Sequence, residues 1–372
     1  MSDASTFGNP DRTTGSDRFK LRLSAIIWFL LLIGFLLGLP VLIEASIWIV
    51  AGVIVLALLL AFPVAWIVRR LFSGQRRQHW RTSYIKAAIA ILFSLVTLLA
   101  APIYYLAFRA ALQPLTVPQA TLSNGTKTVI FQGMMHVGSE GFYKSVIYDL
   151  EKALSDGDVI YYEGVVGDPE GDAWFSETLA GGGDLSTNYQ VFGDACGLQF
   201  QLNYFQLLRE DMAAHPERHV NADVTTADMM HEYQRLVATD PGFAAAVEAE
   251  RAASKNEAAA DGGLGQVANW LQTATPGQKS LAGTACRGWI TMALSKRQEP
   301  NVLDPVILDF RNRKLAERII ADPHQNIYMT YGAGHLPGLL ADLQAADPAW
   351  EIKSLKWMRT IDTPENLSGA IE

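Results

Sequence analysis

The chain has 372 residues, with 30 basic and 38 acidic side chains and a formal net charge of -8. Because many of the arginines flank the apolar N-terminal third, the rest is clearly acidic, which argues against nucleic-acid binding and against adhesion to anionic lipid. Cys196 and Cys286 are the two cysteines. They could form one disulfide or remain two unpaired thiols, since sequence gives no distance between them.

Three long apolar runs occupy the first third of the chain, at residues 23–43, 47–68 and 85–108, and Lys86 is the charge within the third. A helix that crosses the hydrocarbon core needs about 20 apolar residues, and each run is long enough. Buried helices of a soluble core fit less well because the three runs are adjacent and carry little charge. A cleaved signal peptide also fits poorly, since another span follows the first at once.

The distribution of basic residues predicts the orientation of these spans. Basic side chains precede the first span and fill the link between the second and third, whereas the first link carries Glu44 and no Lys or Arg: Arg12, Arg18, Lys20, Arg22, Arg69, Arg70, Arg76, Arg77 and Arg81. Basic loops stay on the cytoplasmic side. We therefore predict a cytoplasmic tail at 1–22, three transmembrane helices within 23–110 and an extracytoplasmic domain over 111–372, in a bacterial inner or plasma membrane.

The domain after the spans has an α/β rhythm. A strand at 126–132, a helix at 142–155 and a strand at 158–162 form a βαβ unit, which implies parallel pairing. Further predicted elements are a helix over 199–213, a strand over 219–225, a helix from near Asp228, Ala-rich helices over 240–300, a helix over 305–320, a strand over 326–331, a helix over 336–344 and a strand over 350–358. The glycine run 181–183 is a predicted loop without a phosphate role. The predicted fold is an α/β domain with a central, mainly parallel sheet and a cleft site.

The helix at 305–320 carries two polar residues in an apolar stripe. Asp304 is its predicted N-cap, with Pro305 at the first helical position. Arg311 and Asn312 share a face with Leu308, Leu315 and Ile319. A buried arginine needs a partner. Either Arg311 pairs with a core carboxylate, or it faces the site and stabilises negative charge on a substrate or intermediate.

Three side chains at predicted strand ends suggest a metal site. His136 ends the run V-I-F-Q-G-M-M-H, Glu163 ends V-I-Y-Y-E, and His335 ends I-Y-M-T-Y-G-A-G-H. Sites in parallel α/β folds form where strands end, and two imidazoles with a carboxylate are a metal-ligand set. A single histidine would more often be an ordinary core group, so the prediction depends on all three.

Other candidates are weaker. Asp223, at the end of a predicted strand, is a weaker candidate for a residue that orients a metal ligand. Ser139 lacks the full Gly-x-Ser-x-Gly elbow, and neither cysteine neighbours a histidine in sequence. The remaining histidines of the domain lie among polar residues and are predicted to be surface groups: His215, His219, His231 and His324.

These motifs resemble the TraB/PrgY/GumN/TIKI family. The matching features are Gly-x-x-His at 133–136, Glu163, the pair Arg311-Asn312 and Gly-x-Gly-His at 332–335. The resemblance covers about residues 125–345, without the spans, and the chain departs from the pattern at 164–220 and in its Ala-rich middle. It implies an α/β fold with the site in a cleft between two halves. It also implies a metal-dependent peptidase, as animal members are described as metal proteases of secreted signalling proteins and bacterial members include ones that block a peptide pheromone.

The sequence therefore predicts a membrane-anchored, metal-dependent hydrolase of extracytoplasmic peptides or proteins. His136 and His335 would hold a divalent ion such as Mn, Co or Zn, with Glu163 as third ligand or general base. Arg311 would stabilise the anionic intermediate, and Asn312 would orient a neighbour or the substrate. Two other functions stay open: a protein that sequesters a peptide without cutting it, and a membrane component whose outer domain recruits a partner. The predicted partners are a peptide or protein and the bilayer, not nucleic acid. The oligomeric state stays open.

Overall fold

The computed structural model describes residues 15–72, 79–179, 185–257, 263–295 and 300–362. It divides into two compact units, with the boundary between Tyr105 and Leu106. The predicted glycine loop at 181–183 lies outside the described residues, as does part of the Ala-rich segment.

The first unit is built from apolar helices. They are α1 (Gly15–Ala45), α2 (Ile47–Phe72) and α3 (Trp80–Leu112), the last of which continues into the second unit. All three are long and apolar enough to cross a membrane, and only 11–17% of each apolar window is buried. A helix that is apolar on all sides is suited to a lipid environment. The prediction of three long apolar helices is confirmed.

The second unit contains a six-stranded mixed sheet and a two-stranded ribbon. The strands are β1 (Thr116–Ser123), β2 (Thr128–Met134), β3 (Val137–Gly138), β4 (Val159–Tyr162), β5 (Gln199–Phe200), β6 (His219–Asn221), β7 (Asn326–Gly332) and β8 (Glu351–Arg359). The large sheet has the order β6-β4-β7-β2-β1-β8, and β3 pairs with β5. Its four strands from β6 to β2 are mutually parallel, while β1 runs antiparallel to both neighbours. The predicted mainly parallel sheet is thus present.

Helices fill the connections between strands. They are α4 (Glu140–Asp156), α5 (Asp172–Thr178), α6 (Leu185–Cys196), α7 (Gln201–Phe205), α8 (Arg209–Ala214), α9 (Thr226–Thr239), α10 (Pro241–Glu257), α11 (Gly263–Thr273), α12 (Pro276–Leu294), α13 (Arg311–Ala321) and α14 (Leu336–Ala346). One apolar cluster packs α13 and α14 against the sheet, and a second packs α4 against it. Burying both faces explains why the central strands are almost continuously apolar.

The βαβ unit predicted at 126–162 is present as β2, α4 and β4, but β7 lies between its two strands in the sheet. Local signals bound the helix well. Ser139 caps its first turn by accepting from the Phe142 amide, and Gly157 ends it with φ 88°, a left-handed conformation that glycine adopts freely. Ser139 therefore has a structural role.

Several predicted elements were wrong in detail. Strand β1 was not predicted, and the helix expected over 199–213 is interrupted as β5, α7, a 3-10 turn and α8. Asp304 is not a side-chain N-cap: its backbone is already helical, and its carboxylate accepts from the Asn301 amide instead. A π-helical segment, Pro305–Phe310, precedes α13. Its wider turn shifts the helical phase, and Val306 within it is buried.

Cys196 and Cys286 form a disulfide with a Cα–Cα distance of 5.1 Å, and it joins the end of α6 to the middle of α12. Arg287 supports the same junction by donating to the carbonyl oxygen of Cys196 at 2.8 Å and to that of Gly197. The sequence left this pairing open, and the fold brings the two residues together across 90 positions.

Candidate functional site

The site is built where two adjacent parallel strands end. Glu163 directly follows β4, and its backbone NH donates to the Thr330 carbonyl on β7 at 3.0 Å. The Gly332 NH at the end of β7 donates to Oε2 of the Glu163 carboxylate. A Cβ at position 332 would lie 3.2 Å from that oxygen. Glycine at 332 thus lets the strand end lie close against the carboxylate.

Arg311 joins Glu163 to a second carboxylate. Its Nη2 donates to Oε1 of Glu163 at 2.7 Å, and its Nε donates to Oδ1 of Asp223 at 2.9 Å. Its Nη1 donates to the Ile307 carbonyl at 3.3 Å. The side chains of Arg311 and Asp223 are 7% and 1% exposed. Of the two alternatives left open for Arg311, the pairing with a core carboxylate is present, and Asp223, the weaker candidate from the sequence, is its principal partner; Arg311 also lines the cavity described below.

These contacts fix the charge of Glu163. Burial would by itself raise the pKa of this carboxyl, but the adjacent His335 imidazole and the Arg311 guanidinium outweigh burial and hold the pKa well below its usual range. The paired carboxylates likewise outweigh burial at Arg311 and raise its pKa. Glu163 is thus an anion and Arg311 a cation throughout the physiological pH range.

His335 lies in a 3-10 turn between β7 and α14 and is buried. Its Nε2 is 3.6 Å from Oε1 of Glu163, and its Nδ1 is 2.8 Å from Oδ1 of Asn312. The Tyr331 ring packs edge-on against it, with ring centroids 5.5 Å apart. Arg311 and Asn312, consecutive on α13, therefore contact Glu163 and His335 respectively.

His136 lies between β2 and β3, where its side chain is partly exposed to solvent and partly covered by neighbouring groups. Its ring stacks on Tyr189 of α6 at a centroid distance of 4.2 Å, and its Nδ1 is 3.1 Å from the amide nitrogen of Gln201. Partial burial lowers the pKa of His136; nearby Glu163 opposes this effect and Arg311 adds to it. His136 is therefore neutral at pH 7.

A cavity of about 610 Å³ adjoins these groups. Of the described residues, its lining includes His136, Glu163 and Arg311, whereas His335 is buried and contacts Glu163 instead. The remaining wall is largely apolar and includes Phe175, Leu179, Phe200, Met229 and Ile307. The cavity has the size and composition of a small-molecule or peptide side-chain site.

Within the part of the chain that the structure describes, no three His, Cys, Asp or Glu side chains form a group compact enough to hold a metal ion. Glu163 and His335 are in contact, and His136 faces the same cavity as Glu163. The protonation states of these three side chains nevertheless suit the binding of a divalent ion. Glu163 is ionised and His136 is neutral, and the contact with Asn312 places the proton of a neutral His335 imidazole on Nδ1, so that Nε2 is the nitrogen that would bind an ion.

Some contacts were not anticipated from the sequence. Tyr189 and Gln201, which position His136, lie 53 and 65 residues downstream of it, and no local motif marks them. His219 was predicted to be a surface group, but its side chain is 2% exposed. Its Nδ1 contacts the Tyr162 hydroxyl at 2.8 Å and its Nε2 contacts Asp211 at 2.7 Å. The three other expected surface histidines are indeed about half exposed: His215, His231 and His324.

Comparisons with known proteins identified no relative of this chain. No protein-family model, no curated protein and no solved structure matches the chain.

Proposed function

We propose that this protein is a membrane-anchored, divalent-metal-dependent hydrolase that acts on extracytoplasmic peptides or proteins. The observation that carries the proposal is the position of Glu163. It is an ionised carboxylate at a strand end, in contact with His335 and Arg311 and facing a cavity that His136 also lines. The resemblance of the same residues to the TraB/PrgY/GumN/TIKI pattern supports the same function.

His136, Glu163 and His335 would hold the ion, which is Mn, Co or Zn. When bound, such an ion lowers the pKa of water so that a nucleophile forms near neutral pH. Oδ1 of Asn312 accepts a hydrogen bond from Nδ1 of His335 and thereby orients the imidazole. Glu163 would serve as a ligand or as the base that takes a proton from the attacking water. The apolar wall of the cavity suits an apolar side chain of the substrate.

Arg311 would stabilise negative charge that develops on the substrate carbonyl oxygen. It lines the cavity and is permanently charged, since its pKa is raised by Asp223 and Glu163. The Asp223 carboxylate fixes the orientation of the Arg311 guanidinium, because it accepts hydrogen bonds from both Nε and Nη2. Asp223 is therefore a positioning residue.

The membrane part of the proposal rests on the three apolar helices and on the charge of their links. The arginines before the first helix and between the second and third support a cytoplasmic N-terminus, and with three spans the α/β domain would then lie outside. The Cys196–Cys286 disulfide supports the same side, because disulfides persist in oxidising compartments.

Peptide sequestration without cleavage is a second candidate, and one observation favours it. The Arg311 guanidinium already donates to Asp223, Glu163 and the Ile307 carbonyl, so much of its hydrogen-bonding capacity is used before a substrate arrives. Turnover separates the two functions, because a sequestering protein binds peptides without releasing fragments.

The deciding experiment uses the full-length chain in lipid nanodiscs. Metal content and hydrolysis of a peptide library are measured with added Mn²⁺ or Co²⁺ for the wild type, His136→Ala and His231→Ala. His231 is a matched control, since it is 55% exposed and pairs with Glu170 away from the cavity residues. We expect metal and turnover in the wild type and His231→Ala, and loss of both in His136→Ala. Binding without fragments in all three proteins would favour sequestration, and equal turnover in all three would exclude the assigned role of His136.

A further inference from the structure

A second cavity, of about 670 Å³, adjoins the first within the α/β unit. The two cavities share His136 and Tyr189 in their walls. Sites for small organic molecules have volumes of about 300–1,000 Å³, so the second cavity is large enough for a ligand of its own. Because the stacked pair His136 and Tyr189 faces both spaces, one molecule could occupy them together.

The second cavity is apolar. Its lining includes Val117, Met134, Phe192, Ile290 and Leu294. None of the described residues that line it is Asp, Glu, Lys or Arg. Burying a charged or polar group here would cost free energy, because nothing in the wall compensates it apart from the shared polar pair. A hydrocarbon chain is therefore the suitable occupant.

One wall of the second cavity is close in sequence to the end of α3. Leu115 in its wall is three residues past Leu112, the end of α3, and three residues span at most about 11 Å. Helix α12 packs on the last turns of α3, since a Cβ at Gly288 would lie 2.6 Å from the Leu106 backbone oxygen. On α12, Trp289 lines the cavity and is 59% exposed. Tryptophan beside the end of a span is typical of the membrane–water interface.

We infer that the second cavity holds the hydrocarbon chain of an acylated peptide, whose peptide part lies in the first cavity. The inference rests on the proposed hydrolase function and specifies its substrate class. A bilayer phospholipid or a free fatty acid would fill only the second cavity. An acylated peptide fills both cavities, with its acyl chain in the apolar one and its peptide part in the first, across the wall that His136 and Tyr189 share.

The test uses photo-crosslinking with the full-length chain in phosphatidylcholine nanodiscs, in the presence of a chelator that prevents turnover. The probe is a short alanine peptide with an N-terminal hexadecanoyl chain that carries a diazirine. Crosslinked residues are identified by mass spectrometry. We expect labels on α12 within 289–294 and near Leu115. Labels confined to residues 15–105 would overturn the inference, because the chain would then lie in the bilayer.

Variants provide a second readout. Ala293→Trp fills the cavity without adding charge, and Leu294→Glu places a charge in it. Burial of two methylene groups already corresponds to about tenfold in affinity, so each variant should reduce α12 labelling at least about 10-fold. Ile320→Glu is the matched control. Ile320 is 47% exposed, close to the 43% of Leu294, and lines neither cavity. Labelling that persists in both cavity variants would overturn the inference even if one of them folds poorly.

Two further arms identify the source of the chain and separate this inference from the proposed function. A diazirine-bearing hexadecanoic acid without peptide should label α12 at least about 10-fold less than the acylated peptide. Equal labelling by the two probes would make a fatty acid or lipid the occupant and would overturn the acylated-peptide class. Hydrolysis of the unacylated peptide is measured separately with Mn²⁺. If it occurs without α12 labelling, only the substrate class fails; if α12 is labelled but no peptide is cut, only the hydrolase function fails.

Discussion

Asn312 Oδ1 lies 2.8 Å from Nδ1 of His335, and both side chains are buried. An amide oxygen accepts a hydrogen bond, so Nδ1 of His335 carries a proton, and in the neutral imidazole Nε2 keeps its lone pair. Nε2 is the nitrogen nearer Glu163, at 3.6 Å from Oε1. The consecutive residues Arg311 and Asn312 on α13 thus act on different members of the site, one on the carboxylate and the other on the imidazole.

Asn312→Asp should change the pH dependence of hydrolysis. A carboxylate facing Nδ1 favours the doubly protonated imidazole, in which Nε2 has no lone pair to donate. The acid limb of the kcat/KM profile should move to higher pH by about 1–3 pH units, with activity recovered at alkaline pH. Asn326→Asp, on the exposed first residue of β7, is the control. A parallel drop at every pH would instead indicate a purely structural role for Asn312.

Gly338→Ala should destabilise the protein more than Gly334→Ala. A Cβ at position 338 would lie 2.3 Å from Nδ2 of Asn312, whereas a Cβ at 334 meets nothing within 4 Å. Overpacking of a close contact costs about 1–3 kcal/mol, so the free energy of unfolding should fall by that amount for Gly338→Ala and change little for Gly334→Ala. Denaturant unfolding measures both. Equal effects would mean that Asn312 moves aside at no cost.

Arg311→Met should be strongly destabilising. It leaves the buried carboxylate of Asp223 without its cationic partner, and removal of one member of a buried pair costs about 3–5 kcal/mol. Arg313→Met is the matched control, because Arg313 is 47% exposed and its partner Glu232 keeps a second cationic partner in Arg235. Its effect should be within about 1 kcal/mol. Similar losses in the two variants would contradict the assigned importance of the Arg311 cluster.

The contact between Arg311 and Glu163 makes the free energy of unfolding depend on pH, and the pKa of Glu163 gives the sign of that dependence. The folded-state pKa of Glu163 is lowered from an ordinary value of 4.5, with Arg311 as one cause. Its stabilising contribution is therefore present above about pH 4.5 and is lost as the pH falls toward the lower folded-state pKa. The difference in unfolding free energy between the wild type and Arg311→Met should shrink on acidification through this range. A constant difference down to pH 3 would be the contrary result.

Local signals predicted much of the fold. The apolar runs, the capped helix α4 and the strand ends at Glu163 and His335 all follow from short-range patterns that the structure retains. The position of β7 between β2 and β4 was not predictable in this way. It depends on pairing between segments about 200 residues apart, and either strand order satisfies the local patterns equally well.

The site was only partly predictable for the same reason. Arg311 and Asn312 were found because polar side chains in an apolar stripe need partners. The identity of those partners is a property of the folded chain: Asp223 meets Arg311 across 88 positions and Gln201 meets His136 across 65. Burial of His219 was missed because its polar sequence neighbours conceal the contacts with Tyr162 and Asp211.

Thiol labelling should show that Cys196 and Cys286 are bonded in the mature protein. The bridge closes a segment of 90 residues, for which the chain-entropy model gives about 4–5 kcal/mol of stabilisation. Protein denatured without reductant should show no free thiol, and reductant should expose both. The double variant Cys196→Ala/Cys286→Ala should unfold at lower denaturant concentration and should no longer respond to reductant. Two free thiols in the unreduced wild type would remove the bridge.

Reporter fusions should place the α/β domain outside the cytoplasm. The basic links predict that a fusion after residue 120 follows three crossings, so alkaline phosphatase joined there should be active and a cytoplasm-dependent fluorescent protein should be dark. A fusion after residue 76, in the basic link between the second and third apolar helices, is the paired control and should give the opposite pattern. If the cytoplasmic reporter were active after residue 120, the orientation would be wrong. The bridge between Cys196 and Cys286 would then lie in a reducing compartment, where such bonds are rare.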